Sequence, residues 1–178
     1  MKSLFIAILL LFSINLNLHA ADYSETSIAI IDLNKILTES KAAEKAGKDI
    51  DNISTNIQDE MKISDDKIIA EQQKLIEQQA IIAPEAFEIK AGEFETKAKL
   101  YEVERQEKLL KIDQIIQDAR NTILESMKPI LESLSEELEI TIILEKGTVI
   151  LSTDKMDITD IVLKRLNKEL PEIEITLN

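Results

Sequence analysis

The chain has 178 residues with 21 Lys and Arg, 34 Asp and Glu and no cysteine. Cysteine's absence rules out a disulfide framework, a thiolate metal site, a Cys nucleophile and a lipid-modified Cys. Three Gly, three Pro, no Trp and 3% aromatic residues beside 31% charged ones favour long helices over many short strands with tight turns.

The first twenty residues read as a cleavable signal peptide. Lys2 supplies a positive start, Leu4 to Leu16 is apolar, and Leu18-His19-Ala20 precedes the expected cut. The apolar run is too short to serve as a membrane-spanning anchor, so export without stable membrane insertion is expected. Removing Lys2 and His19 leaves a mature chain of net −14 without histidine. No basic block interrupts that charge, so nucleic acid is excluded as a partner.

Ser27 to Ile31 is β-branched and predicts a strand, followed by Asp32 as the cap of a short helix through Leu37. From Ala42 the texture is helical for more than eighty residues. Apolar residues fall at Ile50, Ile53, Ile57, Met61, Ile68 and Leu75, keeping one face apolar. Beyond Pro84, Phe87, Phe94 and Tyr101 are seven apart, with Ala91 and Ala98 between them. Leu109, Ile112, Ile116, Ala119, Ile123 and Ile130 continue the pattern after a phase slip near Leu109-Leu110.

Pro84 must either kink one helix or end it, because a proline inside a helix removes a hydrogen bond and costs about 3 kcal/mol. It stands 43 residues after Lys41 and 43 before Met127. Equal segments meeting at a breaker favour an antiparallel hairpin with arms of roughly 60 Å. Pro129 marks an expected joint where the second arm rejoins the body, with helix possible from Ile130.

Ile140 to Leu144, Glu145-Lys146-Gly147 and Thr148 to Ser152 read as strand, turn, strand. Gly147 is the residue suited to a positive φ there. Asp157 is expected to cap a last helix with Asp160 in its first turn, ending before Pro171. The predicted fold is α+β, mostly α: residues 1–20 as signal peptide, 42–127 as helical arms with a tip near 81–87, and 21–41 plus 128–178 as a small body. Such a body is marginal for a core of its own, and oligomerisation would complete it.

The segments SIAIIDLNKILTESKAAEKA at 27–46 and ILEKGTVILSTDKMDITDIVLKRLNK at 143–168 resemble the ends of Skp/OmpH-like periplasmic chaperones. That resemblance implies a homotrimer with helical arms hanging from a small β-barrel. It also implies a periplasmic, ATP-independent holdase that encloses unfolded outer-membrane proteins and prevents their aggregation. Well-known members are basic, whereas this chain is acidic, so neither lipopolysaccharide binding nor steering of acidic clients is carried over. A structural or adaptor coiled coil with one fixed partner is the alternative.

Candidate client contacts are Ile81, Ile82 and Phe87 at the tip and Phe94 and Tyr101 along the arm, with stapling of the turn and seam packing as the competing roles. Candidate oligomer contacts are Ile28, Ile30, Ile142, Leu144, Val149 and Leu151, which would equally suit a core. The acidic pairs Asp59-Glu60, Asp65-Asp66 and Glu136-Glu137 lack the spacing of a calcium loop and read as solvated faces. No nucleophile, base and orienter set or phosphate cradle appears, so no enzyme activity and no cofactor are expected. Asn52-Ile53-Ser54 matches a glycosylation acceptor by chance, mid-arm.

Overall fold

The computed structural model describes residues 26–176; the expected signal peptide at 1–20 lies outside the described residues. The chain opens with strand β1 (Ile28–Ile31) and helix α1 (Leu33–Glu39). Asp32 caps α1 as expected, its carboxylate accepting from the Lys35 amide at 2.9 Å. Ser40 then ends α1 and caps α2 (Lys41–Gln79), its fully buried hydroxyl accepting from the Ala43 amide at 3.2 Å. A small side chain that satisfies an orphan helix amide in place lets the chain change direction inside the core.

Pro84 is the first residue of α3 (Pro84–Glu137). There the missing N–H costs nothing, and the ring holds the preceding Ala83 extended at φ −58° and ψ 144°. The chain reverses over residues 80–83, and α3 returns along α2 as an antiparallel arm.

The 54-residue α3 outlasts the 39-residue α2 and continues into the body without a break. The joint expected at Pro129 is absent: Pro129 lies on the exposed face of an unbroken helix. The helix tolerates it because Met127, Ile130 and Leu134 on the opposite face are buried. At about 1.5–3 kcal/mol per large apolar side chain, their burial offsets the lost hydrogen bond.

Helix α3 ends in a Schellman motif, the Ile140 amide donating to the Ser135 carbonyl at 2.9 Å. Glu139 supplies the left-handed turn with φ 53°. Strand β2 (Ile142–Glu145) follows and pairs parallel with β1, Ile28 opposite Ile142 and Ile30 opposite Leu144. A parallel pair needs a crossover, and here the whole arm is the crossover.

The strand-turn-strand expected at 140–152 is corrected in its second half. Lys146–Thr148 winds into a 3-10 turn, Gly147 has no positive φ, and residues 149–152 form no strand. The turn is held by the Thr148 hydroxyl on the Glu145 carbonyl and by Lys146 Nζ on Asp157, 2.8 Å. These bonds carry the chain away from β2, so the run at 149–152 pairs with no strand among the described residues.

Helix α4 (Thr159–Glu169) completes the body and stops before Pro171 as expected. Asp157, the anticipated cap, sits one position before the cap the helix uses, Ile158, but accepts from the Thr159 amide at 2.9 Å. Asp160, placed in the first turn as expected, pairs with Lys35. Residues from β1, α1, α3 and α4 form one core, including Ala29, Ile31, Ile36, Leu134, Val162 and Leu166, with Ala42 of α2 at its edge. Beyond α4 the chain turns back on the root of α3, with Ile173 against this core.

Candidate functional site

The arm's two helices meet along a heptad seam. At its root the seam is apolar and closed: Ala42, Ala46 and Ile57 of α2 and Ile115, Ala119 and Ile123 of α3 are all buried. Beyond Ile57 and Ile115 no arm residue is fully buried.

The distal seam alternates apolar and polar side chains. Met61, Ile68 and Leu75 of α2 and Ile82 of the turn are half-buried, but so are Ser64, Glu71 and Gln78 between them. On α3, Phe87, Phe94 and Tyr101 alternate with Ala91, Ala98 and Arg105, all half-buried. The Tyr101 hydroxyl lies 2.7 Å from Asp65 and 3.0 Å from the Met61 carbonyl. Its bond to Asp65 pushes the phenol pKa up, because ionisation would set two anions side by side. Arg105 pairs with the same Asp65, Lys108 with Glu60 at 2.7 Å, and Lys97 with Glu71.

These polar seam residues explain a misplaced phase. The anticipated slip at Leu109-Leu110 comes from following apolar residues only. In the structure the seven-residue period runs on through Lys108 to Ile115, leaving Leu109 and Ile116 exposed. Arg105 and Lys108 occupy core-facing positions because long basic side chains bury their stems while their charges reach carboxylates on α2.

The candidate contacts fall into two groups. Ile81 at the tip is 80% exposed, whereas Ile82, Phe87, Phe94 and Tyr101 are half-buried in the turn and seam. Apolar residues that sequence reasoning passed over are more exposed: Ile63, Ile69 and Ile76 on α2, and Ile89, Leu100, Val103 and Leu110 on α3. Their signal was present, as apolar residues left over once the seam was assigned.

On the body, Ile28, Ile30, Ile142 and Leu144 share one face of the sheet by register, while Ala29, Ile31 and Ile143 face the core. Ile28, Ile142 and Leu144 are exposed at 36%, 43% and 39%. Ile30 is buried where the Ile158 amide donates to its carbonyl. Val149 is half-buried, and beside it Ile150 and Leu151 stand almost wholly in solvent, at 105% and 89%. Backbone angles of −101° and 121° at Val149 and −99° and 151° at Thr153 are those of an extended strand.

Two carboxylates, the exposed Glu137 and the half-buried Asp157, tie the body together. The Arg165 guanidinium and then Ser133 hold the Glu137 carboxyl down at about 2. Burial pushes Asp157 up, but its hydrogen bonds from Lys146 and Thr159 outweigh this and hold it at about 2. Both are structural ties between α3, α4 and the turn after β2. Among the described residues, no group of three or more His, Cys, Asp or Glu is placed to hold a metal ion. Among the same residues, no helix is long and apolar enough to cross a membrane.

No curated protein sequence matches the chain. A solved structure described as an OmpH-like outer membrane chaperone, from Caulobacter crescentus CB15, aligns with a TM-score of 0.76. The alignment covers 86% of this chain and 92% of that one at 17% identity, which establishes the shared fold. The family model "Outer membrane protein (OmpH-like)" matches residues 27–166. Because that span takes in β1, both arm helices, β2 and most of α4, the chain belongs to the OmpH-like family.

Proposed function

We propose that this protein is an ATP-independent holdase of the periplasm that encloses unfolded outer-membrane proteins between the arms of a homotrimer. The observation that carries this reading is the exposed apolar surface of a two-helix arm. With no third layer to cover it, the arm leaves seven large aliphatic side chains, Ile63, Ile69, Ile76, Ile89, Leu100, Val103 and Leu110, more than half exposed between its base and its tip. Membership of the OmpH-like family, and the shared fold with the Caulobacter structure described as an OmpH-like outer membrane chaperone, support the assignment.

The body supports the trimer. Its outward sheet face and the extended segment at 149–152 offer both apolar area and unpaired strand backbone, which a neighbouring copy would cover. Ile28, Ile142, Leu144, Val149 and Leu151 would meet between copies, with Ile30 beneath them. Three arms then act on one client, and weak contacts gain strength from being held together. Client folding into the membrane withdraws its apolar segments and drives release.

The test is suppression of aggregation with several unrelated unfolded outer-membrane β-barrels. Protection of most of them at low stoichiometry is expected; protection of none or of a single one would leave an adaptor with a fixed partner. Sedimentation should show a trimer at micromolar concentration, and Leu151→Asp with Ile150→Asp should return it to monomer. Ile81→Ser with Phe87→Ser should weaken holding while the trimer persists.

A further inference from the structure

The outer face of α3 has a chemistry of its own. Ile89, Val103 and Leu110 each stand two residues from a seam residue on both sides, namely 87 and 91, 101 and 105, and 108 and 112. Two residues are about 200° of helix rotation, so these side chains point directly away from α2. Leu100 joins them three residues before Val103. Together they make an exposed apolar stripe roughly 30 Å long.

A carboxylate lies beside every member of the stripe at the spacing that makes helix neighbours. Glu93, Glu104 and Glu107 follow Ile89, Leu100 and Val103 by four residues, Asp113 follows Leu110 by three, and Glu85 precedes Ile89 by four. All five are exposed, and none enters an ion pair among the described residues. Of the cations near the stripe, Lys97 reaches across to Glu71 on α2, Lys99 pairs with Glu95 at 2.7 Å, and Lys111 stands one turn beyond Glu107. Lys90, Lys97, Arg105 and Lys108 of α3 thus reach toward α2, and anions outnumber cations around the outer apolar residues.

We infer that this stripe is a docking surface for unfolded segments in which apolar residues are interspersed with Lys or Arg. Charge complementarity selects the occupant. An acidic segment would set its carboxylates against five others, whereas a basic one would neutralise them while its apolar side chains cover the stripe. The inference rests on the holdase reading and narrows its client class to basic segments.

The test uses the full mature protein and two fluorescent unfolded segments of equal length and identical apolar positions, with Lys or Glu at the intervening sites. Binding is followed by anisotropy at low and high salt. The Lys segment should bind about tenfold more tightly at low salt, the sum of several weak surface pairs. The preference should fade as salt shortens the screening length from about 10 Å at 0.1 M to about 3 Å at 1 M.

Replacing Glu85, Glu93, Glu104 and Glu107 by Gln and Asp113 by Asn should abolish the preference with helicity unchanged. Val103→Ser with Leu110→Ser should weaken both segments. Equal binding of the two segments by the natural protein would overturn the inference while leaving the holdase reading intact. Binding of neither would overturn both.

Discussion

The root and the far half of the arm are made from the same two helices, yet they are held together by different forces. At the root, Ile57, Ile115, Ala119 and Ile123 are out of water, and the seam merges with the core of the body. Past Met61 every seam residue keeps some contact with solvent, and Tyr101, Arg105, Lys108 and Lys97 supply the cross-links. Apolar burial is largely indifferent to salt, whereas exposed ion pairs are screened and individually weak. The holdase proposed above, with an assembled body and adaptable arms, would gain from that division.

The largest effect should come from breaking the body core into which the root merges. Leu134 is 1% exposed in the core that joins α3 to α4, and Leu134→Ala should cost about 2–5 kcal/mol in urea unfolding. Leu75→Ala, at a half-buried distal position, should cost well under half as much. Equal losses would erase the distinction between the two regions.

Acid attacks the body next. Glu137 and Asp157 have folded pKa values of about 2, below their ordinary 4.5 and 3.8. Their stabilising contribution is therefore complete above those ordinary values and is lost as pH falls toward 2. The unfolding midpoint should decline across that window, and Asp157→Asn should flatten the decline.

A smaller change sharpens the distal side. Tyr101→Phe removes the hydroxyl that joins α3 to Asp65 and should cost about 1 kcal/mol. Amide exchange should quicken in residues around 61–105 and stay unchanged at the root. The smallest effect expected is a gain: Glu139 occupies a left-handed conformation at φ 53°, and Glu139→Gly should stabilise by roughly 0.5–1 kcal/mol.

Much of this architecture was legible because it is written locally. Asp32 ahead of its helix, Pro84 at the centre of two equal helical segments and the seven-residue spacing of Phe87, Phe94 and Tyr101 each act over a few residues. They predict caps, a reversal and a seam without reference to distant chain. The site was less legible. Apolar residues off the seam, such as Ile89 and Val103, were set aside because the seam was traced by hydrophobicity alone, which polar members such as Arg105 and Lys108 defeat.

By itself, then, the sequence determined the α+β class, the paired arms and their turning point at Pro84. Tertiary structure alone decided that β1 pairs parallel with β2, that α3 passes Pro129 unbroken, and that residues 149–152 stand apart from the sheet. Each of those outcomes depends on partners far away in the chain: Ile28 meets Ile142, Leu134 packs in the core that also holds Ala29 and Val162, and Lys146 is drawn to Asp157 beyond the exposed segment. Local propensity sets which elements form, but burial against distant residues and the bonds they offer decide where each element ends and what it leaves uncovered.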